Sequence, residues 1–202
     1  MSTRGTRERL IDATERIIRG GGIMAVTTKD IAQEAGFAEG TLYRHFPDKA
    51  ALLLAVFGER LQGNFLALIR ALPQRAGEAS VAANLEELAA AAVQFFAQTA
   101  PLSAAMAADP GLAARHSAQM RVNGVGPEVS ANALADYVRA EQRLGRVRAD
   151  ANPAAVATII LGVCYNYAHA RHLYGEHPAG LPEDRFAHEV VRTLVDGLAP
   201  PD

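Results

Sequence analysis

Apolar residues recur every three or four positions along most of this chain, which is the spacing of one face of an α-helix. The alternation of apolar and polar residues that marks a β-strand is nearly absent. Alanine, the best helix former, is frequent in the same stretches. The pattern therefore predicts an all-α protein of about nine helices.

Glycine and proline divide this pattern into separate segments. Residues 20–22 are all glycine and end the first helix, and Asp48 is placed to cap a long helix that ends near Pro73. Pro101 is expected to close another helix, and Gly145 to end a later one. Helices and shorter helical pieces are expected over residues 4–19, 27–35, 39–45, 48–73, 81–99, 102–108, 111–122, 128–144, 152–174 and 183–198.

Two short helices joined by a tight turn are predicted between Thr27 and residue 45. The hydroxyl of Thr27 or Thr28 can cap the first helix, and Gly36 ends it, because glycine readily takes the left-handed conformation that a sharp turn needs. The second helix, over residues 39–45, is too short to be stable alone and must pack through residues such as Leu42. Such a pair is typical of a DNA-reading helix-turn-helix.

This segment resembles the TetR-like (tetracycline-repressor) family of bacterial transcription regulators. The family signature reads T-x-x-x-I-A-x-x-A-G-hydrophobic-x-x-G-T-hydrophobic-Y-x-H-F-x-x-K-x-x-L. The matching residues are Thr27, Ile31, Ala32, Ala35, Gly36, Phe37, Gly40, Thr41, Leu42, Tyr43, His45, Phe46, Lys49 and Leu52. The resemblance implies a three-helix DNA-binding head over residues 1–47 and a helical ligand-binding and dimerisation body over residues 48–202.

The same resemblance indicates which side chains meet DNA. Residues at the start of a recognition helix reach base edges, whereas hydroxyls and cations around it reach phosphates. The expected base-reading residues are Glu39, Gly40 and Thr41. The expected phosphate contacts are Thr28, Tyr43, His45 and Lys49, with Arg4 and Arg7 available from the N-terminal arm.

Two residues depart from the family pattern at the start of the recognition helix. Ala38 stands where many members have Ser or Thr, so a helix cap worth about 1 kcal/mol is lost. Glu39 is acidic and faces DNA phosphates, unless it accepts a hydrogen bond from a cytosine amino group. We therefore expect modest DNA affinity or an unusual sequence preference.

Charge gives little bulk attraction to nucleic acid. The chain has 20 Lys and Arg against 22 Asp and Glu, a formal net charge of −2. Residues 1–60 hold nine Lys or Arg and eight Asp or Glu, a net charge of +1. DNA binding must therefore depend on a few well-placed cations.

Other features of the sequence favour the cytoplasm. The one cysteine, Cys164, cannot form an internal disulfide and fits a reducing compartment. The N-terminus is polar and lacks the apolar core of a signal peptide. The most apolar run, over residues 154–165, is too short to span a bilayer, so no membrane partner is expected.

Catalytic and metal-binding patterns are weak. His169 and His172 are three residues apart on one helix and could share a metal, but the polar residues around them indicate a solvated face. No phosphate-binding glycine loop, nucleophile elbow or zinc-protease motif occurs, and Cys164 lies in an apolar helix. We expect no enzyme activity, no metal and no cofactor.

Aromatic and sulfur side chains in the body form the candidate ligand site. Such residues are often plain core, but nearby amides and a histidine are what a mostly apolar pocket uses to orient a guest. The expected ligand-binding residues are Phe65, Phe95, Phe96, Met106, Met120, Tyr137, Tyr165 and His169. Because the family commonly binds an inducer in the body, the expected partner is a small apolar or aromatic effector.

The last two helices carry long apolar stripes, which form either internal core or a contact between two copies. The resemblance favours a homodimer through these helices. The expected interface residues are Ile160, Val163, Tyr167, Val190 and Leu194.

These features predict a ligand-responsive, homodimeric transcription regulator. It would act as a repressor on a roughly palindromic double-stranded DNA operator, and the effector would release it. The alternative is a helical ligand-binding or sequestering protein whose head has lost DNA affinity, as Ala38 and Glu39 suggest.

Overall fold

The computed structural model describes residues 5–21, 27–60, 64–175 and 180–197, and every regular element in these ranges is helical. The α-helices are α1 (Thr6–Gly21), α2 (Thr28–Ala35), α3 (Glu39–His45), α4 (Lys49–Arg60), α5 (Phe65–Ala71), α6 (Val81–Ala108), α7 (Pro110–Val122), α8 (Pro127–Arg143), α9 (Pro153–Tyr174) and α10 (Glu183–Asp196). A 3-10 helix, Leu72–Arg75, follows α5. The predicted all-α class is confirmed.

The chain packs as two compact units. The first comprises residues 1–62 and 101–116, and the second comprises residues 63–100 and 117–202. The division at residue 47 concerns function and stays a prediction, whereas these packing units place α4 and part of α6 with the N-terminal helices.

Each unit has its own apolar core. The first core contains Leu10, Ile11, Ile31, Leu42, Leu52, Val56, Phe57, Leu102 and Leu112. The second contains Leu85, Leu88, Leu134, Tyr137, Val156, Ile160, Cys164, Tyr167, Phe186 and Val191. Burial of these side chains, at roughly 1.5 to 3 kcal/mol for each large one, is the main force that holds short helices such as α3 in place.

The structure describes the helix predicted over residues 48–73 in two parts. Helix α4 ends at Arg60, and α5 begins at Phe65. Residues 61–63 between them lie outside the described ranges, as do the predicted ends at Arg4, Gly22 and Leu198.

The expected helix end at Pro101 is wrong, because α6 continues through this proline to Ala108. A proline inside a helix removes one backbone hydrogen bond and costs about 3 kcal/mol. Here the helix is kept because Leu102 and Ala105, just beyond the proline, are buried in the first core. Two residues before the proline, Thr99 donates its hydroxyl to the carbonyl of Phe95 at 3.0 Å.

Helix α6 is also the one helix in the described ranges that is long and apolar enough to cross a bilayer. Its apolar side chains are used in packing: Leu85, Leu88 and Ala92 lie in the second core, and Leu102 lies in the first.

A polar network lies within the second unit. The buried side chain of Asn84 donates to the Tyr137 hydroxyl at 3.1 Å. The buried carboxylate of Glu141 accepts from the backbone amide of Gly77 at 3.3 Å, and the Arg146 Nε lies 3.3 Å from its other oxygen. Pairing of this kind offsets the desolvation of a buried carboxylate.

Candidate nucleic-acid interface

Helix α2 begins with a complete capping box. The backbone amide of Asp30 donates to the Thr27 hydroxyl at 3.1 Å, and the amide of Thr27 donates to the Asp30 carboxylate at 3.2 Å. The hydrogen bond from the Thr27 side chain is the main cause of a lowered pKa for Asp30. The cap predicted at Thr27 or Thr28 is therefore confirmed at Thr27.

The turn after α2 has the geometry that its glycine predicts. Gly36 has a φ of 75°, and the amide of Phe37 donates to the carbonyl of Ala32 at 2.8 Å. The guanidinium of Arg9 donates to the carbonyl of Ala35 at 2.8 Å and lies 4.5 Å from the centre of the Phe37 ring. Helix α1 thus holds the turn that sets the angle between α2 and α3.

Helix α3 covers residues Glu39–His45, as predicted, and it buries Leu42. Ala38 makes no side-chain cap, because a methyl group cannot accept a hydrogen bond. The residues on the opposite side are exposed, and Tyr43 keeps 51% of its surface. The exposed residues of this helix are Glu39, Gly40, Tyr43, Arg44 and His45. A short helix with one buried anchor and an open polar face has the form of a recognition helix.

The structure brings three predicted DNA-binding residues together. The Thr28 hydroxyl donates to a carboxylate oxygen of Glu39 at 2.6 Å. The Tyr43 hydroxyl lies 3.5 Å from the Thr28 oxygen, at the limit of hydrogen-bond distance. The two helices of the pair are therefore linked on their exposed side by a hydroxyl and a carboxylate.

Several cations of the first unit are held in ion pairs. Arg7, expected to be available to DNA, donates to both carboxylate oxygens of Glu59, at 3.0 and 2.6 Å. This hydrogen bond raises the pKa of Arg7. Arg16 pairs with Glu34 at 2.9 Å. Exposed cations on α2 and α3, Lys29 and Arg44, are closer in sequence to the recognition surface.

Asp48 caps α4, as predicted, and also ties it to α7. One carboxylate oxygen accepts from the amide of Ala51 at 2.8 Å, and the other accepts from Arg115 at 2.8 Å. The bond from Arg115 is the largest cause of a lowered pKa for Asp48, followed by the amide of Ala51. Lys49 follows directly, at the first position of α4.

Residues 10–56 match the model of a protein family described as bacterial regulatory proteins, tetR family. Over this segment the chain is similar to the TetR family. The resemblance drawn from the sequence is thereby confirmed, and the helix-turn-helix lies inside the matched segment.

Known proteins with a similar sequence agree with this resemblance. The transcriptional repressor KstR of Mycolicibacterium smegmatis is 42% identical over 59 residues, which are 29% of this chain and 29% of that protein. The match therefore spans less than a third of the relative.

Solved structures extend the likeness of fold over nearly the whole chain. A TetR-family regulator from Mesorhizobium loti has a TM-score of 0.71 at 17% identity, covering 98% of this chain and all of that one. The regulator FadR of Bacillus subtilis, solved in complex with stearoyl-CoA, has a TM-score of 0.61 at 18% identity and covers 94% and 98% of the two chains. The relatives are regulators and not enzymes, in agreement with the sequence.

Five of the eight predicted ligand-binding residues form one aromatic cluster in the second unit, made of Phe65, Phe95, Phe96, Tyr165 and His169. Phe65 stacks on Phe95 at 5.0 Å, and Phe96 meets Tyr165 edge to face at 5.5 Å between ring centroids. Tyr165 stacks on His169 at 4.0 Å. Burial lowers the pKa of His169, and the nearby His172 adds to the effect.

The other three predicted ligand-binding residues lie elsewhere. Tyr137 is fully buried in the second core with its hydroxyl bonded to Asn84, so it has no surface for a guest. Burial is also the main cause of its raised pKa. Met106 packs on the core of the first unit, and Met120 lies close to Gly126. None of the three belongs to the aromatic cluster, and their part in ligand binding stays a prediction.

The predicted dimer residues divide into two that are buried and three that are partly exposed. Ile160 and Tyr167 are buried inside this single chain, and the Tyr167 hydroxyl donates to the carbonyl of Leu181 at 2.9 Å. Their burial in the core of a single chain leaves little of these two side chains for a second copy, and their place in the interface stays a prediction. Val163, Val190 and Leu194 are partly exposed and remain candidates.

Two exposed residues stand outside the predicted sets of DNA-binding and interface residues. Arg44 lies on the open face of α3, and the period of 3.6 residues counted from buried Leu42 would have found it. Ile159 keeps 46% of its surface on α9, next to buried Ile160. Arg44 and Ile159 fit the helical periodicity of α3 and α9, but only the fold shows which side of each helix faces outward.

Proposed function

We propose that this protein is a DNA-binding transcription regulator of the cytoplasm, a homodimeric repressor that a small effector releases from its operator. The open face of α3, anchored by buried Leu42 and carrying Tyr43 and Arg44, is the observation on which the proposal depends. The likeness of residues 10–56 to known regulators supports it.

The DNA-binding step combines positioning and reading. Tyr43, His45 and Lys49 contact phosphates, and Arg44 adds a cation that the sequence analysis did not include. Glu39, Gly40 and Thr41 face base edges in the major groove. Because Arg7 and Arg16 are engaged by Glu59 and Glu34, few cations are available for phosphates, and the affinity depends only moderately on salt.

A binding titration tests this step with the DNA upstream of the protein's own gene, at several salt concentrations. We expect Lys49→Ala and Tyr43→Ala to weaken binding to all sequences about equally, and Lys49→Ala to lower the salt slope by about 1. Arg139→Ala removes an exposed, ion-paired cation of the second unit and is the matched control. If no duplex binds above the nonspecific level, the alternative of a sequestering protein without DNA function is favoured.

Dimerisation is proposed through the outward sides of α9 and α10. Val163, Val190 and Leu194 are partly exposed, and Ile159 adds a large exposed apolar side chain. Two copies paired by a two-fold axis present two recognition helices to successive half-sites of a palindrome.

Sedimentation velocity at micromolar concentration tests the dimer. We expect Ile159→Glu or Leu194→Glu to shift the protein to monomer, because each places an unpaired charge in the interface. Val122→Glu is the control, since Val122 is 83% exposed at the end of α7. A wild-type monomer, or variants that remain dimers, would contradict the proposed interface.

The effector site is proposed at the aromatic cluster. Phe95, Phe96 and His169 are partly exposed and Tyr165 is 44% exposed, so a guest that is apolar or aromatic has rings to stack on. FadR of Bacillus subtilis, a protein of similar fold, was solved in complex with stearoyl-CoA, which supports an effector with an apolar chain as the first one to test.

A thermal-shift screen tests this site with stearoyl-CoA, free fatty acids and aromatic dyes. A bound effector raises the melting temperature and, if it prefers the released state, weakens DNA binding. We expect Tyr165→Ala to reduce the shift and Tyr174→Ala, at a 72% exposed position further along α9, to leave it unchanged. A screen in which no compound changes both stability and DNA affinity would refute effector control.

A further inference from the structure

The recognition surface contains an acid whose orientation is set by another helix. Glu39 is the first residue of α3, and Thr28 is the first residue of α2. The Thr28 hydroxyl donates a hydrogen bond to the Glu39 carboxylate at 2.6 Å, which is the length of a strong, charge-assisted hydrogen bond. Both side chains are on the solvent side of the pair.

This hydrogen bond restricts a side chain that would otherwise sample several rotamers. A glutamate normally loses up to about 2 kcal/mol of side-chain entropy when it is held in one position. In this chain part of that ordering is complete before DNA arrives. The bond also becomes stronger when DNA excludes water, because the local dielectric constant falls.

A held carboxylate selects among bases because it only accepts hydrogen bonds. Cytosine presents its amino group in the major groove, whereas guanine and thymine present acceptors that repel a carboxylate. Adenine has an amino group beside the acceptor N7, which makes it second best. The bond from Thr28 leaves acceptor capacity, since a carboxylate has two oxygens and about four lone-pair sites.

We propose that Glu39 reads a cytosine in the operator half-site and that Thr28 is the positioning residue that holds it. This inference rests on the proposed DNA-binding function. It replaces the phosphate contact expected for Thr28 with a role in sequence preference. The Tyr43 hydroxyl lies 3.5 Å from the Thr28 oxygen, so Tyr43 is next to this pair of residues.

The negative charge of Glu39 also explains how preference arises without high affinity. The carboxylate is repelled by phosphates in any DNA sequence, and only a base donor at the right position offsets that repulsion. Unfavourable contacts then weaken binding to wrong sequences. The ratio of specific to nonspecific affinity is therefore high even though the affinity for the correct sequence is modest.

Selection from a pool of duplexes with a random centre, followed by sequencing of the bound DNA, tests the proposal. For the full-length wild type we expect cytosine to be enriched on the order of tenfold at one position of each half-site. Glu39→Gln should move the preference at that position to adenine, because an amide pairs with adenine through both its groups. Nonspecific affinity should rise as the charge is lost.

Thr28 is tested by two variants in the same selection. Thr28→Val removes the hydroxyl at nearly constant volume and should lower the cytosine enrichment several-fold while other positions keep theirs. Thr28→Ser restores a hydroxyl and should recover most of the enrichment. Circular dichroism and melting curves of each variant show that the helices are intact.

The outcomes distinguish a failure of the Glu39 and Thr28 assignments from a failure of the proposed DNA binding. If the wild type selects a sequence but Glu39→Gln leaves every position unchanged, the cytosine assignment is wrong. If Thr28→Val weakens all sequences equally, Thr28 contacts phosphate and its positioning role is overturned. If the wild type selects no sequence, the proposed DNA-binding function fails, and this inference fails with it.

Discussion

Arg9 donates a hydrogen bond from its guanidinium to the carbonyl oxygen of Ala35 at 2.8 Å, across the end of α2. A side-chain carbon at Gly36 would lie 3.1 Å from the same guanidinium nitrogen. The turn of the helix-turn-helix therefore depends on glycine twice: for its φ of 75° and for the space that Arg9 occupies.

Gly36→Ala should lower the free energy of unfolding of the protein by about 1 to 2 kcal/mol, because an L side chain is strained at this φ. Urea denaturation followed by circular dichroism measures the change. Gly58→Ala is the matched control, since a Cβ there meets nothing within 4 Å and glycine lies inside α4. That variant should gain up to about 1 kcal/mol. Equal effects at the two positions would contradict the role given to Gly36.

Pro101→Ala should stabilise the protein by about 1 to 3 kcal/mol, because it restores a backbone hydrogen bond inside α6. Pro110→Ala is the control: this proline is the first residue of α7, where its missing amide proton is not needed. Melting curves of both variants check the expectation. A loss of stability in Pro101→Ala would mean that contacts of the proline ring outweigh the restored hydrogen bond.

Cys164 should be unreactive in the folded protein. It is buried, its sulfur lies 3.7 Å from the carbonyl of Ala89, and burial raises the pKa of the thiol to about 12. A chromogenic disulfide reagent should therefore detect no thiol in the native state and one thiol in guanidinium. Ala118→Cys adds an exposed thiol on α7 as a positive control. Rapid labelling of the native wild type would show that the second core opens readily.

Acid should destabilise the second unit through His169. Burial lowers the pKa of His169 in the fold below its ordinary value of about 6.5. The unfolded state then binds the proton more readily, so stability is full above about pH 6.5 and declines as the pH falls below it. His169→Gln should reduce this dependence in urea denaturation at pH 7.5 and 5.5.

His116 provides the comparison for the pH experiment. Its pKa is lowered by burial as well, so His116→Gln should remove a separate part of the same dependence. If His169→Gln changes the pH dependence no more than a substitution at an exposed position, the partly buried His169 does not titrate as the structure indicates.

The helix-turn-helix was predictable because its signals act over a few residues. The Thr27 cap reaches Asp30, Gly36 sets one turn, and Leu42 anchors a helix of two turns. Such signals are the same in any tertiary setting, so α2, the turn and α3 appear where the sequence places them.

The ends of helices and the choice of residues that line a site depend on contacts between residues far apart in the sequence. Pro101 is a local stop signal, but burial of Leu102 in the first core overrides it. Likewise Tyr137 and Tyr165 are both aromatic residues on helices, yet one is fully buried and the other is 44% exposed.

The sequence by itself therefore determined the all-helical class, the helix-turn-helix motif and the resemblance of residues 10–56 to the TetR family. Only the tertiary structure decided that Thr28 bonds Glu39, that Arg7 is taken by Glu59, and that Ile160 faces inward while Ile159 faces outward. The physical reason is range: caps and turns are local, whereas burial and side-chain pairing require residues that are far apart in the chain to meet.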